Sequence, residues 1–197
     1  MRYFRTIKRM KPKIRCTICP KGCELKPGEI GDCRVRENIG GKIRCTTYAK
    51  PCAINIDPVE KKPLYHFLPG SPILSMATAG CNLHCKQCQN WQISQLGQNH
   101  SNGSDIYPED IADIAKKRTC PAIAYTYTEP LVSYEYTFDC CKAASEAGIK
   151  NVLVTAAFIN PEPLRHICRY VDAANVDLKS FSDDFYRDIC DARLQPV

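Results

Sequence analysis

Along the second two-thirds of the chain, short apolar runs alternate with stretches whose apolar residues recur every three or four positions. The run at 73–78, ILSMAT, has the length and near-continuous hydrophobicity of a buried strand. Residues 108–118 read as a helix, with Pro108 at its start and Ile111, Ile114 and Ala115 on one face. A second strand is predicted at 122–128 and a second helix at 133–147, stopped by Gly148. A third strand follows at 151–157. Asn160 then caps a third helix that has Pro161 in its first turn and Leu164, Ile167, Cys168 and Val171 as its buried stripe. A fourth strand is predicted at 174–178, and a fourth helix runs from its cap at Ser182 to about Cys190.

Four β–α units in series imply an α/β fold with a parallel sheet and helical crossovers, either open or part of a (β/α) barrel. In both, ligands gather at the carboxyl ends of the strands. Cys81 follows the first strand, Glu129 ends the second, and Asp177 and Lys179 end the fourth.

Upstream the pattern changes. Residues 1–39 are basic and rich in cysteine, and the segment 40–70 opens at Gly40–Gly41. It predicts two short strands, at 43–48 and 52–57, followed by a proline-punctuated, irregular run over 58–69. The expected organisation is a cysteine-rich module and bridge over 1–70, then a partial α/β domain over 71–197.

Composition adds three constraints. Hydrophobic residues make up 44% of the 197, enough to bury a core. Apolar stretches fall short of the roughly 20 residues that cross a bilayer, and residues 1–15 lack the apolar core of a secretory signal. The expectation is a cytoplasmic protein with no membrane partner. Charge is uneven: residues 1–50 carry 14 Lys/Arg against 4 Asp/Glu, and residues 51–197 carry 13 against 17. The basic end reads either as a solvated terminus or as a surface for RNA or an acidic protein.

Seven of the 14 cysteines form two tight groups. In a reducing compartment, clustered cysteines are more often metal ligands or catalytic thiols than disulfides. Cys81, Cys85 and Cys88 bring three thiolates into one loop, suited to an iron–sulfur cluster or zinc. His84 is the only candidate fourth ligand within that loop, and it is poorly placed beside Cys85. Three ligands leave one metal position open, as catalytic sites do. The second group, Cys16, Cys19, Cys23 and Cys33, satisfies a tetrahedral zinc site or an iron–sulfur cluster equally well. Cys45, Cys52, Cys120, Cys140, Cys141, Cys168 and Cys190 are expected to be structural, and Asn90 and Trp91 to pack and order the loop.

The loop Cys81-Asn-Leu-His-Cys85-Lys-Gln-Cys88 after the first strand resembles that of the radical S-adenosylmethionine (radical SAM) superfamily. The runs DPVEKKPLYHFLPGS (57–71), ATAGCNLHCKQCQNWQIS (77–94), TYTEP (126–130) and VDLKSFSDDFYR (176–187) narrow it. With the N-terminal cysteine pattern, they are similar to the radical SAM component of the AmmeMemoRadiSam system, a group related to pyruvate formate-lyase activating enzymes.

The resemblance implies a partial radical SAM (β/α) barrel, with a 4Fe–4S cluster on Cys81, Cys85 and Cys88 whose open iron is chelated by S-adenosylmethionine. Reductive cleavage would yield a 5′-deoxyadenosyl radical that takes hydrogen from a substrate, whether protein, RNA or small molecule. An electron donor such as a flavodoxin or ferredoxin is also implied. Glu129 falls where the superfamily binds the cofactor's amino group, and Asp177 and Lys179 where activating enzymes surround its carboxylate. An ordinary strand-end Glu and a mutual Asp–Lys ion pair are the alternatives. Gln87 stands where many relatives have an aromatic residue, and the chain ends after about four β–α units where relatives have about six. Two other readings stay open: a glycyl-radical enzyme activase, and a non-catalytic iron–sulfur or zinc module.

Overall fold

The computed structural model describes residues 13–97 and 105–197. Two small antiparallel pairs come first: β1 (Ile14–Arg15) with β2 (Glu24–Leu25), and β3 (Arg36–Ile39) with β4 (Lys42–Cys45). Gly40 and Gly41 join β3 to β4 at φ +61° and +87°. A two-residue hairpin loop with positive φ at both positions is where glycine costs least.

β5 (Pro51–Pro58) pairs antiparallel with β6 (Pro72–Thr78). β7 (Ala122–Tyr125), β8 (Lys150–Thr155) and β9 (Ala173–Val176) then add in parallel, giving the order β5-β6-β7-β8-β9. The bridge therefore contributes an edge strand to the same sheet as the β–α units. Consecutive parallel strands in sequential order, each reached by a right-handed crossover, keep their helices on one side of the sheet. That winding is the arc of a (β/α) barrel, not a doubly wound sheet.

The helices are α1 (Trp91–Ser94), α2 (Pro108–Lys117), α3 (Tyr134–Glu146), α4 (Pro161–Ile167) and α5 (Asp183–Cys190). Ser182 caps α5 as expected, its hydroxyl accepting from Phe185 N at 3.3 Å. Asn160 sits at the start of α4, but its amide donates to Thr17 O at 2.7 Å and so ties α4 to the cysteine-rich module. α4 also stops a turn earlier than its periodicity suggests. Ile167 is fully buried, whereas Cys168, expected on the buried stripe, lies at the C-cap and is exposed.

Alternation along the strands divides the core. Leu74, Met76, Ile123, Tyr125 and Leu153 face the helices and pack on Ile111, Ala115, Tyr136, Ala144 and Ile167. Ile73, Ala122, Ala124 and Val152 face the concave side, where they meet Val59 and the partly buried Leu64, Phe67 and Leu68. Each fully buried Ile, Leu, Val or Met among these contributes about 1.5–3 kcal/mol. These inward residues lie early in their strands, so the proline-punctuated run fills the barrel arc at its amino end. The carboxyl end stays open.

Candidate metal and cofactor site

At that open end lies a cavity of about 530 Å³, lined by Cys81, Cys85, Cys88, Glu129, Asp177 and Lys179 among others. The structure thus gathers both the loop cysteines and the strand-end charges foreseen in the sequence. The loop is held from several sides. Gly80 N donates to Ile93 O at 3.0 Å, and His84 N and Lys86 N donate to Cys190 O and Ile189 O, each at 2.9 Å. The last turn of α5 therefore fixes the backbone around Cys85. Leu83 N donates to Cys81 Sγ at 3.4 Å, and Cys88 Sγ lies 3.4 Å from Ser94 Oγ.

Burial raises the Cys81 thiol well above its ordinary range, with the nearby Glu129 charge adding to it. Burial pushes Cys85 up to about 12, helped by the adjacent Cys190 thiol, which the sequence had marked as merely structural. A bound metal reverses this, because a coordinating thiol is deprotonated outright.

The donor set fits a multi-iron centre. His84, the one candidate fourth ligand in the loop, is committed elsewhere: Nδ1 pairs with Gln95 Oε1 at 2.6 Å and Nε2 with Asp32 Oδ2 at 2.9 Å. Among the described residues, only Asp32, His84 and Asp191 place three ligand atoms within 4.8 Å of one another. Lys21 Nζ already neutralises that group, at 3.0 Å from Asp32 and 2.6 Å from Asp191. The three loop sulfurs are therefore more widely spread than around a single zinc ion, where about 2.3 Å bonds hold sulfurs about 3.8 Å apart. Three thiols on separate irons, with one iron left over, suit the spacing better.

Glu129 is 2% exposed and both its oxygens are taken. They accept from Thr155 Oγ1 at 2.8 and 2.9 Å, from Leu131 N at 3.1 Å and from Ala156 N at 2.9 Å. Burial raises its pKa, against the pull of these donors and of Lys179. The side chain clamps the turn after β7 onto the end of β8. Asp177 and Lys179 lie just beyond β9 and pair at 3.0 Å, and both also line the cavity. Burial pulls the Lys179 pKa down, but Asp177 more than restores it, so the ammonium is held charged at the wall.

Other wall residues carried no sequence assignment. Lys62 is 1% exposed and donates to Asp57 Oδ2 at 2.7 Å, its ammonium 4.5 Å from the Tyr127 ring centroid. Asp57 also accepts from Lys61 and Ser75 at 2.8 and 2.7 Å, and from the Tyr127 hydroxyl. Lys61, Lys62 and Tyr127 all reach the cavity. The signal for Asp57, Lys61 and Lys62 was the run DPVEKKPLYHF and for Tyr127 the run TYTEP, each of which served only as a family mark. Asn90 orders the loop by donating to Tyr127 O at 2.8 Å, whereas Trp91, expected to pack there, is 62% exposed. Cys16, Cys19, Cys23 and Cys33 converge on a second, small pocket with Arg36 and Val132.

A barrel arc with three loop thiols and fixed charges at the strands' carboxyl ends is the scaffold of a cofactor-dependent α/β enzyme. Residues 76–195 match the Radical SAM superfamily, more than half of the chain, and the chain belongs to that superfamily. Its members are enzymes, and membership implies a 4Fe–4S cluster and S-adenosylmethionine. The chain is also 46% identical over 185 residues to an uncharacterized protein of Methanocaldococcus jannaschii, a match covering 94% of this chain and 55% of that protein. It therefore spans about half the length of this curated relative.

Proposed function

We propose that this chain is the cluster-binding part of a radical SAM enzyme of the AmmeMemoRadiSam type, an oxidoreductase acting on a substrate not yet known. In this reading Cys81, Cys85 and Cys88 hold the cluster and leave its fourth iron to S-adenosylmethionine. The commitment of His84 to Gln95 and Asp32 carries the reading, because it leaves the loop one protein ligand short. When bound, the cluster supplies the electron that cleaves the sulfonium C–S bond to give a 5′-deoxyadenosyl radical.

The chain's own residues do the rest. Lys179 presents a cation to the cofactor's carboxylate, and Asp177 keeps that cation protonated and oriented. Glu129 leaves a buried carboxyl near the cofactor's ammonium while it clamps the turn after β7 onto the end of β8. Val154, Ala156 and Leu83 supply apolar wall that excludes water from reactive species. A cavity of about 530 Å³ is of the size small-molecule cofactors occupy. A flavodoxin or ferredoxin is the proposed electron donor. The 14 free cysteines support a reducing, cytoplasmic setting, and no helix among the described residues is long and apolar enough to cross a membrane.

The test is anaerobic reconstitution followed by EPR of the reduced protein with and without S-adenosylmethionine. The expected result is a 4Fe–4S signal that the cofactor perturbs and that Cys81→Ala, Cys85→Ala and Cys88→Ala abolish. A cluster indifferent to the cofactor ends this proposal.

A further inference from the structure

Four thiols outside the cavity share a pocket that this chemistry does not use. Cys16, Cys19, Cys23 and Cys33 line it with Arg36 and Val132. Local turns bring them there. Cys16 N donates to Cys23 O at 2.9 Å and Gly22 N to Cys19 O at 3.2 Å. Gly31 N donates to Arg36 O at 2.7 Å and Arg34 N to Gly31 O at 2.8 Å, closing the turn that carries Cys33.

The surrounding polar groups look for an acceptor. Arg36 is 5% exposed, and its two terminal nitrogens pair with Glu135 at 2.8 and 2.7 Å. Its Nε is buried with no partner. A donor left this way costs about 1–3 kcal/mol unless something anionic or sulfur-bearing meets it. Asn82, 2% exposed, also lies beside Cys19, its Nδ2 donating to Phe158 O at 2.7 Å. A buried guanidinium with a free Nε beside four thiols is an environment that suits a thiolate-ligated, anionic centre.

Sulfur spacing discriminates between metals. No three of these sulfurs lie within 4.8 Å of one another. A tetrahedral zinc ion would gather all four to about 3.8 Å. A cubane gives each cysteine its own iron and spreads them wider.

We propose that Cys16, Cys19, Cys23 and Cys33 ligate a second 4Fe–4S cluster, with Arg36 Nε donating to one of its sulfurs, in electronic contact with the cluster on Cys81, Cys85 and Cys88. The contact, though not the second cluster itself, rests on the radical SAM reading. The two sites share a wall. Asp32, the neighbour of Cys33, meets His84, the neighbour of Cys85, at 2.9 Å. Asn82, the neighbour of Cys81, lies beside Cys19. The Gly80 backbone presses on Cys33 O so closely that an added Cβ would stand 2.6 Å away. One electron passes from the second cluster, oxidised from 1+ to 2+, to the first, reduced from 2+ to 1+. A low-potential flavin or iron–sulfur donor replaces it.

Metal and sulfide analysis after anaerobic reconstitution tests the site. The wild-type chain is expected to hold about eight irons, and the triple variant Cys81→Ala/Cys85→Ala/Cys88→Ala about four. That variant leaves the N-terminal thiols intact, and its cluster signal is expected not to respond to S-adenosylmethionine. Zinc without iron in the triple variant, or no metal in a triple variant folded by circular dichroism, overturns the second cluster. If instead the triple variant keeps four irons while wild-type signals ignore the cofactor, the radical SAM reading fails and the second cluster stands. For the contact, the EPR spectrum of the fully reduced wild type is compared with the sum of two single-cluster variants, the triple variant and Cys16→Ala/Cys19→Ala. Extra broadening or splitting is expected from spin–spin interaction, and equality with the sum refutes electronic contact.

Discussion

Asp57→Asn tests whether the cavity floor is held by a buried charge pair. The carboxylate accepts from Lys62 and Ser75 at 2.7 Å, from Lys61 at 2.8 Å and from the Tyr127 hydroxyl, and Lys62 is 1% exposed. Removing one partner of a buried pair costs about 3–5 kcal/mol, because the surviving charge is stranded. Lys61 adds little, since its side chain is 60% exposed. The asparagine oxygen still accepts from Ser75 or Tyr127, and the Tyr127 ring still faces the ammonium, so the lower end applies: about 3 kcal/mol. The assay is urea unfolding of the metal-free chain, with both proteins compared at several pH values.

Direction with pH follows from the two shifts. Burial alone would raise the Asp57 pKa, but its four donors hold it well below the carboxylate range. Its contribution is therefore complete above the unfolded value of about 3.9 and fades as pH falls below that. The wild-type advantage should shrink on acidification. Burial lowers the Lys62 pKa despite Asp57, and without the carboxylate it falls further. The variant's native state then sheds the lysine proton before its unfolded state does, so its deficit also narrows as pH rises toward about 10. A deficit below about 1 kcal/mol near neutrality, or one flat across this range, refutes the buried-pair argument.

Other substitutions probe other parts. Gly80→Ala sets a Cβ 2.6 Å from both Cys33 O and a Val35 methyl at φ +94°; a loss of about 2–4 kcal/mol in urea unfolding is expected, and less than about 1 would mean the contact yields freely. His84→Ala removes the links to Gln95 and Asp32 but no metal ligand, so stability should drop about 1 kcal/mol with iron content unchanged. Loss of iron from the Cys81 loop in that variant would make histidine a ligand after all. Thr155→Val takes one donor from the buried Glu129, an expected cost of about 1–3 kcal/mol by thermal or urea unfolding, and neutrality would show that the clamp does not bear on the fold.

Much of the architecture could be read from periodicity. The apolar runs that became β6 to β8 are continuous because these strands are covered on both faces, and Pro108 and Ser182 mark helix starts through local chemistry. Features set by tertiary context were not legible. The strand at 52–57 carries no mark of the sheet it joins, because edge pairing is decided by its partner. Asn160 has the residue type of a cap, yet Thr17 O competes for its side chain from 143 residues away. Cys168 fits the helical stripe by count, but α4 ends one residue before it. At the site, spacing alone brought Cys81, Cys85 and Cys88 together, since they share one loop. The role of Lys62 depends on Asp57 and Tyr127 from two other elements, and no local pattern could show it.

Why the cysteine-rich module precedes the barrel arc can be argued from the wall they share. Gly80 must be glycine for its φ of +94° and because Cys33 O and Val35 occupy the space where a side chain would stand. Arg36 reaches from β3 to Glu135 and to Val132 O, which belong to the segment following β7. Asn160 reaches back from α4 to Thr17. Such links join the module to the loop after β6, to the turn after β7 and to the segment after β8. Neither part can shift without breaking these contacts, of which the Arg36 guanidinium's, 5% exposed, are of the kind that cost about 1–3 kcal/mol when lost. The cavity's cysteine loop is therefore positioned from both sides, by α5 through the His84 and Lys86 amides and by the module through Asp32 and Cys33. A change that loosens the module is expected to reach the loop thiols before it reaches the helices packed on the sheet's other face.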